Sequence, residues 1–326
     1  MKAVVVSRPG GSEVLEVVEC PIPEVKEGWS LVRIKGFGIN RSEIFTRQGH
    51  SPQVQFPRIL GIECVGVIAE STDPERLPVG QKVLSTMGEM GRAFDGGYAE
   101  YALLPNDQIF PVETDLSWEA FAAVPETFYT AYGSTLQLRL EADDVVLVRG
   151  AASGVGISFT KLVKAAFPQV RVYGSVRQAD KKDQLLAVGY DEILLEKEGK
   201  LETDQSFSKV LELVGPSVIK DTISHMTMGG IVCSTGLLGG QWYLEDFDPT
   251  YDLCKNIYLT TFYSGNVSDK AWQDLFDFIE KHQVDVTPQK IFTIDEIAKA
   301  HDFLESKDAF GKVIVRNEDS YGRSSI

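Results

Sequence analysis

The sequence has no two cysteines at CxxC spacing. Its four, Cys20, Cys64, Cys233 and Cys254, are scattered. That pattern speaks against a compact zinc knuckle and fits reduced core thiols better than a disulfide framework. No apolar run approaches the roughly 20 residues needed to cross a bilayer. The opening MKAVVVSRPGG carries an apolar stretch too short for the core of a signal peptide. Positive charge is scarce: 32 Lys and Arg stand against 47 Asp and Glu, a net charge of −15. Such a surface repels nucleic acid and anionic lipid, so neither is expected as a partner. A local basic pocket for a phosphate remains compatible with it. Neither an internal repeat nor a low-complexity tract is present. These absences lead to the expectation of a cytoplasmic protein.

What is there is an ordinary globular composition, 43% hydrophobic and 24% charged, in a chain of 326 residues. That length predicts two domains. Up to about residue 115 the chain reads as β-rich, with strands over 2–7, 14–19, 30–34, 65–69 and 82–84 cut by Gly and Pro turns. The character changes near Trp118, where a helix over 118–132 is expected. A strand–helix alternation then begins. Strands are expected over 145–149, 170–176, 193–195, 210–213, 231–234 and 257–262, with helices over 155–166 and 181–188. Alternation of this kind implies a parallel sheet covered by helices on both faces. Helices over 271–281 and 294–306 and a strand over 312–316 follow. This tail is expected to pack back on the first domain. The polar residues 317–326 are expected to fray.

The sharpest local signal is VVLVRGAASGVG over residues 145–156. A buried strand enters a turn of small residues and a helix leaves it. Small residues let backbone N–H groups approach a pyrophosphate, and the helix N-terminus stabilises its charge. Ala151 and Ser153 replace the first two glycines of the usual GxGxxG, while Gly156 keeps the last. Ala152, Ser153, Gly154, Val155 and Gly156 are therefore candidate dinucleotide contacts. A tight turn without a ligand is the alternative. An NAD-binding site would place Asp or Glu at the end of the next strand. Here that end reads Tyr173-Gly174-Ser175-Val176-Arg177, with no carboxylate before Asp180. Ser175 can donate to a 2′-phosphate, Arg177 can fork onto it and Lys181 can support it. NADPH is the expected cofactor. A solvated helix start is the other reading of Arg177 and the lysines.

Seven segments in order then resemble the medium-chain dehydrogenase/reductase family, in its zinc-free quinone-oxidoreductase branch. They are GFGINRSEIFTRQGHSP from Gly36, FPRILGIECVGVIAE from Phe56, GGYAEYALLP from Gly96, AAVPETFYTAYGS from Ala122, LVRGAASGVG from Leu147, KVLELVG from Lys209 and AHDFLESKDAFGKVIV from Ala300. Together they span nearly the whole chain. The resemblance implies an α/β protein with a discontinuous GroES-like catalytic domain, residues 1–118 and 268–326. It also implies a Rossmann domain with a doubly wound parallel sheet, residues 119–267, and an active site between the two. A homodimer formed through an edge strand near 257–262 is likewise implied. Where zinc-dependent relatives place Cys, His and Cys ligands, this chain has Asn40, Ile62 and a position near Glu126. The four-cysteine structural lobe is missing as well, and no metal is expected.

Without a Lewis acid, simple alcohol oxidation is disfavoured. The expected reaction is NADPH-dependent hydride transfer to a quinone or an α,β-unsaturated carbonyl, a small electrophilic acceptor. The alternatives are an enoyl-thioester reductase and a nucleotide-binding sensor or structural protein with little turnover. By resemblance, Asn40 lies beside the nicotinamide and acceptor and could hydrogen-bond a ribose hydroxyl or an acceptor carbonyl; otherwise it caps a turn. Thr127 and Thr130 border the nicotinamide by the same resemblance. His50 and Ser51 stand where many relatives carry an aromatic residue. His50 is a candidate general acid or a solvated loop histidine. Thr235, Gly236 and Leu237 end a strand with small residues and are candidates for the carboxamide end of the cofactor.

Overall fold

The computed structural model describes residues 1–317. It divides into two compact units. The first comprises Met1–Glu126, Gly265–Phe276 and the chain from Val286 onward; the second comprises Thr127–Ser264 and Asp277–Asp285.

The first unit is built on β-sheet. Trp29–Ile39 is its long central strand, eleven residues that place Val32, Ile34, Phe37 and Ile39 in the core. It pairs antiparallel with Glu63–Glu70, with Tyr101–Pro105 and with Val313–Arg316. Lys82–Thr86 and Phe110–Pro111 extend the sheet on one side, and Lys290–Thr293, parallel to Val313–Arg316, closes the other. A second sheet joins Lys2–Val6 to Leu15–Glu19 and Arg58–Ile59. The strand Lys290–Thr293 was not foreseen, because Pro288 and Lys290 mask its apolar alternation. In the tail, Asn317 is buried, and its amide donates to the carbonyls of Ile34 and Ala99, at 3.1 and 2.8 Å. Fraying at this residue is therefore corrected; the remainder of that expectation, 318–326, lies outside the described residues.

The helix expected over 118–132 is two helices, Trp118–Ala122 and Pro125–Leu138. Ser117 caps the first by accepting from Ala120 N. Pro125 opens the second, where its missing N–H costs nothing.

The second unit carries a seven-stranded sheet in the spatial order Lys200–Leu201, Glu192–Lys197, Arg171–Val176, Val145–Arg149, Phe207–Glu212, Met226–Ser234 and Tyr258–Thr260. All pairings are parallel except the hairpin of the first two. The order reverses at Val145–Arg149, the switch point at which doubly wound sheets bind ligands beyond the strand ends. Tyr258–Thr260 is an edge strand, shorter than expected. Among the described residues, no helix is long and apolar enough to cross a membrane.

Candidate functional site

Val145–Arg149 delivers the chain at the switch point into a turn at Gly150, whose φ of 83° suits glycine. The helix Gly154–Ala166 begins at once, capped by Ser153, whose Oγ accepts from Gly156 N at 3.1 Å. A Cβ on Gly156 would lie 2.8 Å from the Gly150 carbonyl oxygen. One on Gly174 would lie 2.8 Å from Ala151 Cβ and 2.9 Å from the Tyr190 ring. Glycine at both places lets loop, helix and strand close up. Tyr190 reinforces the turn by donating to the carbonyls of Ala151 and Gly156 at 3.0 and 2.9 Å. The N–H groups of Ala152, Gly154 and Val155 have no acceptor among the described residues. Three unsatisfied donors at the start of a thirteen-residue helix suit an anion such as a pyrophosphate.

The end of the same strand holds an ionic cluster. Arg149 is fully buried and pairs with Glu196 at 3.0 Å and Asp221 at 2.9 Å, with Glu212 at 3.8 Å. It also donates to Thr222 Oγ1 and to the carbonyl of Gly199. Burial pushes the Glu212 carboxyl up in pKa, against the pull of Arg149. The Ser175 hydroxyl donates to Glu196. Ser175 is buried and its hydroxyl already has a partner, whereas Arg177 is exposed and makes no hydrogen bond or ion pair among the described residues. Lys181 is half-buried.

A second cluster lies in the first unit. The register Val313↔Ile39 sets Lys312 beside Asn40. Lys312 Nζ donates to Asn40 Oδ1 at 2.7 Å and to Glu63 Oε1 at 2.5 Å. Asn40 Nδ2 donates to Glu63 Oε1 at 2.8 Å and lies 3.4 Å from Glu43 Oε1. Glu63 Oε2 accepts from Glu126 N at 2.7 Å. Gly38 makes room for the pair: a Cβ there would lie 2.1 Å from Glu63 Oε1 and 2.3 Å from Lys312 Nζ. Asn40 is also the N-cap of the helix Arg41–Arg47, and Glu43 accepts from its backbone N–H at 3.2 Å. Burial, and then the neighbouring Glu63 charge, push the Glu43 carboxyl up to about 7.

An alcohol dehydrogenase GroES-like domain model matches residues 26–114, and a zinc-binding dehydrogenase model matches residues 188–315. The quinone oxidoreductase of Mus musculus is 25% identical over 342 residues, covering 97% of each chain. The yhdH oxidoreductase from Salmonella enterica, solved in complex with NADP, superposes with a TM-score of 0.84 at 22% identity, covering 98% of this chain and 100% of that one. A dehydrogenase from E. coli CFT073 complexed with NADH superposes at 0.81 and 18% identity, covering 97% and 99%. The chain belongs to the medium-chain dehydrogenase/reductase family. Within it, the chain is an oxidoreductase of the quinone-oxidoreductase type, with a GroES-like domain and a Rossmann-like parallel-sheet domain.

At the positions that the resemblance matches to the zinc ligands, the Asn40 amide is bound to Lys312 and Ile62 is buried; Glu126, near the third, accepts at Oε2 from Thr86 Oγ1. No group of three or more His, Cys, Asp or Glu suited to a metal occurs among the described residues. His50 is exposed, its ring edge-on to Phe45, and Ser51 Oγ lies 2.9 Å from Thr46 Oγ1. Thr127 and Thr130 are buried in the helix Pro125–Leu138. Thr235 and Gly236 donate their N–H groups to the Glu212 carbonyl, at 3.0 and 3.2 Å, and Leu237 is partly exposed beside them.

Much of these clusters had no place among the sequence candidates, including Glu43, Arg149, Glu196, Glu212, Asp221 and Lys312. Lys312 lay inside the quoted segment ending GKVIV, yet only the strand register brings it to Asn40. Arg149 was readable as an anomaly, a charge closing an otherwise apolar strand.

Proposed function

We propose that the protein is an NADPH-dependent, metal-independent reductase of quinones and α,β-unsaturated carbonyls. The observation that carries the nucleotide half is the loop at 150–156, with three backbone donors lacking acceptors at a helix N-terminus. The fold alone does not choose between nucleotides, since neighbours of the same fold were solved with NADP and with NADH. The choice rests on the end of the strand Arg171–Val176, where Arg177 is exposed and Lys181 follows. The Glu196 carboxylate nearby is engaged by Arg149 and by Ser175.

When bound, a nicotinamide nucleotide supplies the hydride. The N–H groups of Ala152, Gly154 and Val155 hold the pyrophosphate, and Arg177 and Lys181 hold the 2′-phosphate. Thr127, Thr130, Thr235, Gly236 and Leu237 are assigned to the nicotinamide end, and Asn40 to the acceptor side. His50 and Ser51 are the candidates for moving a proton. The experiment is a steady-state acceptor panel of quinones, enals, enoyl thioesters and simple alcohols. Turnover with the first two classes and none with alcohols supports the reading. Turnover confined to thioesters, or absent with every acceptor, sinks it.

Metal independence has its own check. Asn40 faces Lys312 and Ile62 is buried in the core, so elemental analysis of purified protein should find well under one zinc per chain. Stoichiometric zinc that resists mild chelation contradicts the reading. We further propose a homodimer through the edge strand Tyr258–Thr260, where Tyr258 is 61% exposed. Light scattering at micromolar concentration should report twice the chain mass, and a monomer alone would remove this proposal.

A further inference from the structure

The nucleotide loop departs from the usual glycine pattern, with alanine at 151 and serine at 153. A side chain 39 positions beyond Ala151 holds it in shape. Tyr190 is buried, and its hydroxyl lies 3.0 Å from the Ala151 carbonyl oxygen and 2.9 Å from that of Gly156. A phenol has one proton to donate. The Gly156 carbonyl also receives Thr160 Oγ1, at 3.0 Å. Ala151 is fully buried, and its carbonyl has no other donor among the described residues. A buried carbonyl left unpaired is the costlier arrangement, so Ala151 is the main partner of the proton. Burial pushes the Tyr190 hydroxyl above its usual pKa and keeps that proton in place.

Two glycines make room for the contact. A Cβ on Gly174 would meet both the Tyr190 ring and Ala151 Cβ, at 2.9 and 2.8 Å. A Cβ on Gly156 would lie 3.0 Å from the Ala151 carbonyl oxygen, which is turned in over the start of the helix.

The direction of that carbonyl fixes a donor. In a trans peptide the C=O and the following N–H point in opposite directions. The Ala151–Ala152 bond is trans. With its carbonyl held towards Tyr190, this peptide turns the Ala152 N–H the other way. Ala152 is half-buried, and its N–H has no acceptor among the described residues.

We propose that Tyr190 is a positioning residue of the nucleotide loop: its hydroxyl draws the Ala151 carbonyl inward and so aims the Ala152 N–H at the pyrophosphate. The lock stands on geometry within the second unit. Its ligand rests on the proposed nucleotide binding.

Tyr190→Phe keeps the ring against Gly174 and removes only the hydroxyl. The lock is read first without any ligand. In wild type the Tyr190 hydroxyl proton should exchange slowly with solvent. The 13C resonance of the Ala151 carbonyl should move upfield in Tyr190→Phe, and that of Gly156, served also by Thr160, much less. A rapidly exchanging hydroxyl in wild type, or an unmoved Ala151 carbonyl in the variant, overturns the lock whatever the protein binds.

The second readout is binding of NADPH, NADH and adenosine 2′-monophosphate, which keeps the adenosine and 2′-phosphate of NADPH but has no pyrophosphate. Tyr190→Phe should lose roughly tenfold for both dinucleotides, the worth of one hydrogen bond, and nothing for the monophosphate. Loss in both dinucleotides also separates Tyr190 from residues that touch only the 2′-phosphate. Unchanged dinucleotide affinity overturns the proposal. So does an equal loss for the monophosphate, which would mark Tyr190 as a support of the whole unit. Wild type that binds no dinucleotide defeats the cofactor reading instead, and the hydroxyl and carbonyl signals still decide the lock.

Discussion

Arg177→Ala is expected to weaken NADPH binding by roughly tenfold and Arg177→Ala/Lys181→Ala by up to roughly a hundredfold, with NADH binding hardly changed. A charge-assisted hydrogen bond contributes about 1.5–3 kcal/mol, and about 1.4 kcal/mol is a factor of ten in affinity. Arg177 is exposed and makes no ion pair among the described residues, so its loss should leave the fold intact. The Ser175 hydroxyl is committed to Glu196, so on the proposed reading a 2′-phosphate would be held mainly by Arg177, with Lys181 next along the chain. Titration of both nucleotides into wild type and the two variants measures this. Equal losses for NADPH and NADH would mean that the residues support the unit rather than the phosphate.

The second large effect is on stability as a function of pH. The buried Glu43 carboxyl has its pKa raised from 4.5 to about 7 in the folded chain. Between those values the folded state binds more protons than the unfolded state. Glu43 therefore stabilises fully below about 4.5, and the contribution is lost as pH rises through about 7. The slope is about −1.4 kcal/mol per pH unit, or roughly 3 kcal/mol across the window. His301 acts with the opposite sign. Burial, and then the Arg47 charge, lower its pKa from 6.5 to about 3. Its contribution is present above 6.5 and is lost as pH falls toward 3. The two terms oppose each other between 4.5 and 6.5. Glu43→Gln should leave the other terms alone, so across that range the stability of the variant should rise with pH relative to that of wild type. Denaturant titrations across that range test it. Parallel curves for wild type and variant would show that Glu43 is ionised throughout.

How much of this was legible in the sequence differs between the two units. The second unit was readable nearly strand by strand, because buried parallel strands are short apolar runs and Gly150–Gly156 punctuates them. The first unit was readable through its motifs more than its elements. Trp29–Ile39 was foreseen at under half its length, since Lys35, Gly36 and Gly38 break its apolar pattern. Gly38 is there because Lys312 and Glu63 occupy the space over it, and Gly36 because a Cβ there would lie 2.9 Å from Ala122 Cβ. The helix Trp118–Ala122 ends before Pro125, a stop signal that periodicity alone overran.

The nucleotide loop was legible because its chemistry is local, a strand, a turn and a helix start within twelve residues. The clusters around Arg149 and Asn40 were not. Arg149 meets Glu196, Glu212 and Asp221 from three later segments, and Asn40 meets Lys312 across 272 positions of chain. Long-range partners of this kind leave no periodic trace. For Asn40, only the register of Val313–Arg316 against Trp29–Ile39 brings Lys312 to it.

The central claim is NADPH-dependent reduction without a metal. Its most direct test is the rate of NADPH consumption by protein exhaustively treated with chelator, with a simple quinone as acceptor and NADH as the parallel arm. The account predicts full turnover after chelation and a clear preference for NADPH. Activity that disappears with the chelator and returns with added zinc, or a preference for NADH, would contradict it.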